Sequence, residues 1–388
     1  MNADEPATVE RLSPQDLMQL ACDVGPAPMQ VAGILILDAA DELALSTVVK
    51  AITGRINAVP RLRQRLARTA LGYGSPIWVD DPRFDIHQHV HCVHCPAPGD
   101  EQALLTVATA AATRRLPADR PLWSMTLVTG LTDGRAGLVV VMHHVVADGL
   151  AGLAVLTSLV DGAAPVPHRR PPRPPPSRRR LLANAAQVWL RAIAAFPGTL
   201  RRLHAAAAEL RPIGTAPAPA CSLNQPTGER RMLAIARVDL AAARTVAHVH
   251  GATVNDVLLA AVSGALRSLL RDRGEIVDRL VVSVPASARR TADATRLGNE
   301  VGVIPVSLPI ADDSSERLKT ITGITRHRKE APRAASNALL GPVFRALARV
   351  GLFAWFINRQ RQVNTFVTNI RGPEVGLNFP GHCRHRHL

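Results

Sequence analysis

Apolar positions recur along this chain with two periods, and their alternation predicts an α/β protein. Short β-branched runs bounded by polar residues predict strands at Met29–Leu37, Pro76–Val79, Phe84–Val93 and Leu122–Val128. A further run, Leu138–Met142, leads into His143 and His144. In the second half, Met232–Val238, Leu280–Val284, Val301–Leu308 and Asn364–Asn369 have the same texture. Helical spacing appears between them. Leu45, Val48, Val49, Ile52 and Ile56 predict a helix over 41–57, and Leu104, Val107, Ala108 and Ala111 one over 100–116. Leu153, Leu156, Leu159 and Val160 predict one after Gly149. Leu240–Val249 is helical and closed by Gly251, and 314–331 and 337–358 are helical as well. Ser13 with Pro14 and Asp16, and Thr253 with Asp256, are helix-start patterns. The second predicts a long helix burying Val257, Leu258, Ala261, Val262, Ala265, Leu266 and Leu269.

The pattern breaks at Pro165–Arg180, PVPHRRPPRPPPSRRR, where proline enforces an extended, solvated linker. Arg178–Ala195 then reads as a basic amphipathic helix with Leu181, Leu182, Ala185, Val188, Trp189 and Ile193 on its apolar side. Two fates suit such a helix, packing against its own protein or lying on a membrane surface. The chain divides into residues 1–164, a linker and basic helix at 165–215, and a second α/β unit at 216–388. The two halves suggest paired domains with a site between them.

Composition adds constraints. The 388 residues suffice for two cores, and no run of about 18 apolar residues suggests a membrane span. The acidic N-terminal stretch lacks the apolar core of a secretory signal. The net charge of +15 is nearly all arginine, with Lys only at 50, 319 and 329. Either an anionic partner or an Ala/Arg/Pro-rich base composition accounts for it. Scarce aromatics argue against nucleic acid as that partner. Five scattered cysteines suit a reducing, cytoplasmic setting.

The candidate chemistry lies in His143-His144-Val145-Val146-Ala147-Asp148-Gly149. Histidines where a rigid strand ends are well placed for proton transfer near neutral pH. A packed pair of core histidines is the alternative. His87, His89 and His91 would share a strand face and, with Cys92, His94 and Cys95 nearby, could in principle ligate a metal. No second Cys-x-x-Cys completes a four-ligand set, so a solvated strand end without metal is expected.

HHxxxDG is the signature of the chloramphenicol acetyltransferase and condensation-domain superfamily. Around it, Leu12–Asp16, Val59–Leu66, Pro121-Leu122-Trp123, Asn255–Ala260, Leu297-Gly298-Asn299 and Thr368–Pro373 occur in an order that resembles bacterial wax ester synthase/diacylglycerol acyltransferases. The resemblance implies two chloramphenicol-acetyltransferase-like α/β sandwich domains with the active site at their interface. It implies transfer of a fatty acyl group from acyl-CoA, as co-substrate and without a cofactor, to diacylglycerol or a long-chain alcohol. His144 would be the general base, with His143, Asp148 and Gly149 supporting. Asp148 is expected to hold the loop, paired with an arginine, rather than to act in catalysis. Gly149 is expected to let the backbone approach substrate. Pro121, Leu122 and Trp123 are candidates for the substrate cleft, although Trp123 by itself reads as packing. Asn255 and Asp256 either shape the cleft or simply cap a helix. The lipid substrates imply peripheral attachment to a membrane or lipid-droplet surface, through Arg178–Ala195 and Ala338–Asn358. Beyond Pro373 the resemblance implies further strands and a closing helix, whereas Gly381–Leu388 reads as neither, so a shortened C-terminal domain is expected. The alternative is therefore a degenerate member that binds acyl lipids with little turnover.

Overall fold

A strand that is apolar at every position needs cover on both faces, and the stretch ending in the two histidines has it. The computed structural model describes residues 9–38, 43–70, 72–159, 172–191, 193–194, 217–287, 301–330, 347, 352–372, 378–379 and 383–386. In chain order its main elements are α1 (Pro14–Cys22), β1 (Gln30–Asp38), α2 (Leu45–Arg55), β2 (Gln64–Ala67), β3 (Ile77–Asp80), β4 (Val90–His94) and α3 (Glu101–Thr113). Next come β5 (Trp123–Thr129), β6 (Ala136–His143), α4 (Gly149–Ser158) and α5 (residues 178–191). The second half holds α6 (Leu240–Val249), α7 (Val254–Asp272), β7 (Arg279–Ser287), β8 (Val301–Pro309), α8 (Ser314–Glu330), α9 (Phe353–Arg359), β9 (Thr365–Phe366), β10 (Asn378–Phe379) and β11 (Cys383–Arg386).

All eight positions of β6 are buried. It lies inside a six-stranded sheet of order β10-β11-β1-β6-β5-β4, antiparallel to both β1 and β5. The pleat sends Leu138, Val140 and Met142 toward a cluster with Val48 and Ile52 of α2 and Val155 of α4. Val139 and Val141 face Leu104 and Ala108 of α3. Covering both faces removes each side chain from water, worth about 1.5–3 kcal/mol apiece, and makes β6 a stiff support for the histidine turn at its end.

The second half builds its own core. β7 pairs antiparallel with β8 along its whole length, and parallel with β9 at Val282–Thr365 and Ser283–Phe366. Leu259 and Ala260 of α7, Leu318 and Ile321 of α8, and Val282, Val306 and Leu308 of the strands form the core. The sheets and helices are those of a mixed α/β fold, as the sequence pattern implies.

Several elements differ from expectation. Met232–Val238 has no strand pairing among the described residues and lies open to solvent, with Met232 89% exposed. Alternating hydrophobicity cannot form a ladder without a neighbouring strand. Phe84–Val93 is a 3-10 turn at Ile86–Gln88 and then the short β4, so His87, His89 and His91 do not share one strand face. α7 buries Asp256, Leu259, Ala260, Ser263 and Leu270, while Ala261, Ala265 and Leu269 are exposed. Its inward face is rotated because two polar side chains on it find partners: Asp256 with Thr325 and Ser263 with Pro309 O. Of Asn364–Asn369, only Thr365–Phe366 is strand. β2 has no counterpart in the hydrophobic pattern. The tail is not featureless: Cys383–Arg386 pairs antiparallel with β1, Ile36 opposite Arg386. Residues 383–386 therefore return to the first sheet. Leu297-Gly298-Asn299 and most of 337–358 lie outside the described residues.

The linker is pinned at both ends of its described part. Arg173 donates to Asp80 from its backbone N–H (2.9 Å) and Nε (3.3 Å). Arg11 donates from Nε to Asn184 Oδ1 (2.6 Å) and from Nη2 to Leu181 O (3.2 Å), holding the first turns of α5. Ala185 is buried there, but Val188, Trp189, Leu190 and Ile193 point to solvent, the last three about two-thirds exposed. Packing against the protein accounts for the start of this helix and not for the rest.

Candidate active site

HHxxxDG is built as a strand end, a packed turn and a capped helix. His143 is the last residue of β6, and its N–H donates to Leu122 O (3.0 Å). The His144 N–H donates to Met29 O (2.8 Å), just before β1. The chain then turns, with the Val146 N–H on His143 O (2.8 Å). Val145, Val146 and Ala147 are buried against Leu12, Trp78, Leu122 and Ala151. Asp148 is the N-cap of α4: its Oδ1 accepts from the Ala151 N–H at 2.9 Å, satisfying a donor the helix would leave open. The spacing from histidines to aspartate is the length of this turn.

The two histidines differ in setting. His143 is buried, and its Nδ1 accepts from the Val145 N–H (3.0 Å). The neutral ring therefore carries its proton on Nε2, which lies 3.5 Å from Asp23 Oδ2. Burial pushes the His143 pKa below the usual histidine value, against the opposing pull of the Asp23 carboxylate. His144 is half-buried at the mouth of the turn.

The other candidates fall into two groups. Gly149 and Asn255 meet the Thr368–Gly372 segment from the second half. An added Cβ on Gly149 would overlap Ile370 Cδ1 and lie 3.5 Å from its Cγ1. Asn369 Nδ2 donates to Asn255 Oδ1 (3.3 Å). The missing side chain of Gly149 thus makes room for Ile370. Asp256 turns away: it completes the capping box with Thr253, accepts from Thr325 Oγ1 (2.7 Å), and is buried. Pro121, Leu122 and Trp123 are buried, Leu122 among the residues that pack the turn. Trp123 Nε1 donates to Leu62 O (2.8 Å), and its ring stacks on His89 at 4.5 Å. His89 is thereby committed to packing. His91 and His94 are exposed, and no group of His, Cys, Asp or Glu suited to a metal occurs among the described residues.

Sequence reasoning missed Asp23, Met29, Arg115 and Ile370. Asp23 lies in no periodic or motif pattern, and Met29 and Arg115 sit at the ends of a predicted strand and helix whose patterns say nothing of the tertiary contacts through which they act. Ile370 sits in a noted motif, but only the fold brings it to Gly149.

An α/β sheet carrying HHxxxDG at the exit of its central strand defines a protein of the chloramphenicol acetyltransferase-like class. Comparison narrows the class. Residues 12–258 match the model of the wax ester synthase/diacylglycerol acyltransferase catalytic domain, and 297–383 that of the family's C-terminal domain. A protein of Mycobacterium tuberculosis named as a probable diacylglycerol O-acyltransferase is 31% identical over 93% of this chain and 78% of its own length. A second from that organism is 29% identical over 94% of this chain and 84% of its own. Among solved structures, the wax ester synthase/diacylglycerol acyltransferase of Marinobacter aquaeolei superposes with a TM-score of 0.66 at 25% identity, covering 96% of this chain and 84% of that one. The first condensation domain of the calcium-dependent antibiotic synthetase shares the fold, with a TM-score of 0.59 at 18% identity, covering 98% of this chain and 84% of that one. The chain belongs to the wax ester synthase/diacylglycerol acyltransferase family.

Proposed function

We propose that this protein is an O-acyltransferase that moves a fatty acyl group from acyl-CoA to diacylglycerol, or to a long-chain alcohol, with His144 as general base. The observation that carries the reading is the HHxxxDG turn, locked at the end of a fully buried strand in a chain of this family. An alcohol attacks a thioester poorly until a base takes its proton. A neutral imidazole on a rigid support can do so, contributing about 10²–10⁴-fold. The alcohol oxygen bonds to the acyl carbon, the carbon–sulfur bond breaks, and the proton passes from the imidazole to the departing thiolate. The thioester is already activated, so no acyl-enzyme is needed. Asp148, spent on capping α4, supports the turn rather than the chemistry.

Lipid acceptors are met at a surface, and the exposed end of α5 suits one. Trp189, Leu190 and Ile193 face solvent close to Arg191, and Arg178, Arg179 and Arg180 lie exposed at its start. This is the composition of a helix that rests in an anionic lipid interface. No single helix among the described residues is long and apolar enough to cross a membrane; the exposed end of α5 supports peripheral attachment as the mode proposed. Cys22, Cys92, Cys95 and Cys221 are free thiols, supporting a cytoplasmic setting.

Purified protein supplied with acyl-CoA and either diacylglycerol or a long-chain alcohol tests the reading, with lipid products separated on thin-layer plates. The expected result is ester formation that His144→Ala abolishes without loss of fold. Binding of acyl lipid with no turnover would establish the degenerate alternative. Unchanged kinetics in His144→Ala would remove that residue from the chemistry.

A further inference from the structure

One carboxylate ties down both histidines of the motif. Asp23 comes directly after the last residue of α1. Its Oδ1 accepts from the Met29 N–H (3.0 Å), and Met29 O in turn accepts the His144 N–H (2.8 Å). Its Oδ2 lies 3.5 Å from His143 Nε2, the nitrogen that carries the proton. Arg115, beyond the end of α3, grips the carboxylate from outside. Its Nη1 donates to both oxygens (2.9 and 3.0 Å) and its Nη2 to Gly25 O (2.7 Å). Three segments distant in sequence therefore converge on one side chain.

We propose that Asp23 is a positioning residue for acyl transfer, orienting the His143 ring through Nε2 and the His144 backbone through Met29. The proposal rests on His144 as the base. Asp23 does not touch substrate in this scheme; it acts through two neighbours whose placement the reaction needs. Its charge is secured. Burial alone would push the Asp23 pKa up, but the Met29 N–H, Arg115 and His143 together hold it below the usual carboxylate value. Among the described residues, the charged or titratable groups acting on the His143 ring are Asp23, His144 and Arg115. Asp23 is the one that favours the protonated ring; the other two oppose it. Removing the Asp23 charge must therefore lower the His143 titration further. Asparagine at this position also presents an amide N–H₂ where an acceptor is required.

The test compares Asp23→Asn, Asp23→Glu, His143→Ala and the Asp23→Asn/His143→Ala double variant. Misplacement of a reacting group by about 1 Å costs on the order of 10²-fold, so Asp23→Asn should lose about that much in kcat. KM for acyl-CoA should stay within about twofold, because orientation and not binding is lost. Asp23→Glu, which keeps the charge, should retain more activity than Asp23→Asn. In the double variant Asp23→Asn should lower kcat much less than it does alone, leaving only the part transmitted through Met29. NMR titration of the His143 ring, assigned by its absence in His143→Ala, should move down in Asp23→Asn. Fully additive losses, a loss confined to KM, or an unmoved His143 titration would each overturn the proposal. If the wild-type protein transfers no acyl group, the parent reading fails while the NMR titration still decides the role of Asp23. If Asp23→Asn does not fold, wild-type ¹⁵N spectra decide: His143 must be the Nε2–H tautomer, and an Nδ1–H ring refutes the arrangement.

Discussion

Gly149→Ala is the sharpest probe of how the two halves meet. The glycine is the first residue of α4, and its Cα faces the Ile370 side chain so closely that a methyl would overlap Cδ1. Carbon atoms rest about 3.5–4.0 Å apart, so clearing the overlap takes a displacement on the order of 1 Å. Two free-energy terms oppose each other. Replacing glycine by alanine where the backbone tolerates it stabilises by about 0.4–1 kcal/mol through the unfolded state. Overpacking costs about 1–3 kcal/mol. Ile370 is 42% exposed and can yield in part, which keeps the cost below the upper end, at about 2 kcal/mol. We expect a net loss near 1 kcal/mol, set by about 2 for the clash less about 1 for the alanine. Activity should suffer more than stability, because the Ile370 segment also brings Asn369 to Asn255. A 1 Å shift there costs on the order of 10²-fold in rate. The assay pairs thermal unfolding with acyl-transfer kinetics for Gly149→Ala and for Gly149→Ala/Ile370→Ala. Truncating Ile370 removes the colliding atoms, so the double variant should regain activity. Full activity in Gly149→Ala alone, or no recovery in the double variant, would refute the close approach.

The geometry sets three further outcomes. Leu138→Ala, at a position 1% exposed in β6, should cost about 2–5 kcal/mol in urea unfolding, and a cost below 1 would mean the site collapses. His143 is held neutral by burial, so its folded pKa lies below the unfolded value near 6.5. Its contribution is complete above that value and is lost as pH falls through it toward the folded pKa, so unfolding midpoints should drop on acidification; a His143→Ala protein with the same pH slope would contradict this. For Trp189, flotation should show binding to anionic vesicles that weakens with salt and falls in Trp189→Ala; wild-type protein that never floats would exclude α5 as a lipid contact.

Where local chemistry decides the structure, the sequence is readable. The capping patterns at Ser13 and Thr253 form as expected, and the apolar run into His143 is a strand buried on both faces. The motif itself is legible because strand end, turn and cap are consecutive. What escapes is whatever depends on distant partners. Met232–Val238 has strand composition but no neighbour to pair with among the described residues. The face of α7 is misjudged because Asp256 and Ser263 are polar yet satisfied inside. Asp23 carries no local mark; its place beneath His143 and Met29 exists only once α1, β1 and α3 have packed.

The pairing of β11 with β1 sets an order on how the molecule can be made. Ile36 lies opposite Arg386, so the two strands are separated by 386 − 36 = 350 residues. Contacts of such high sequence separation form slowly, because the intervening chain must be closed before they reward it. At about 5–20 residues per second a ribosome needs roughly 20–70 s to emit that span. Once β6 has been made, β1 can pair with it while its other edge stays bare for the rest of that interval, a template for any extended chain nearby. Closure of the first sheet therefore waits until β11 has been made. The nascent protein passes through a stage in which the motif strand is already seated and one sheet edge still awaits its last partner.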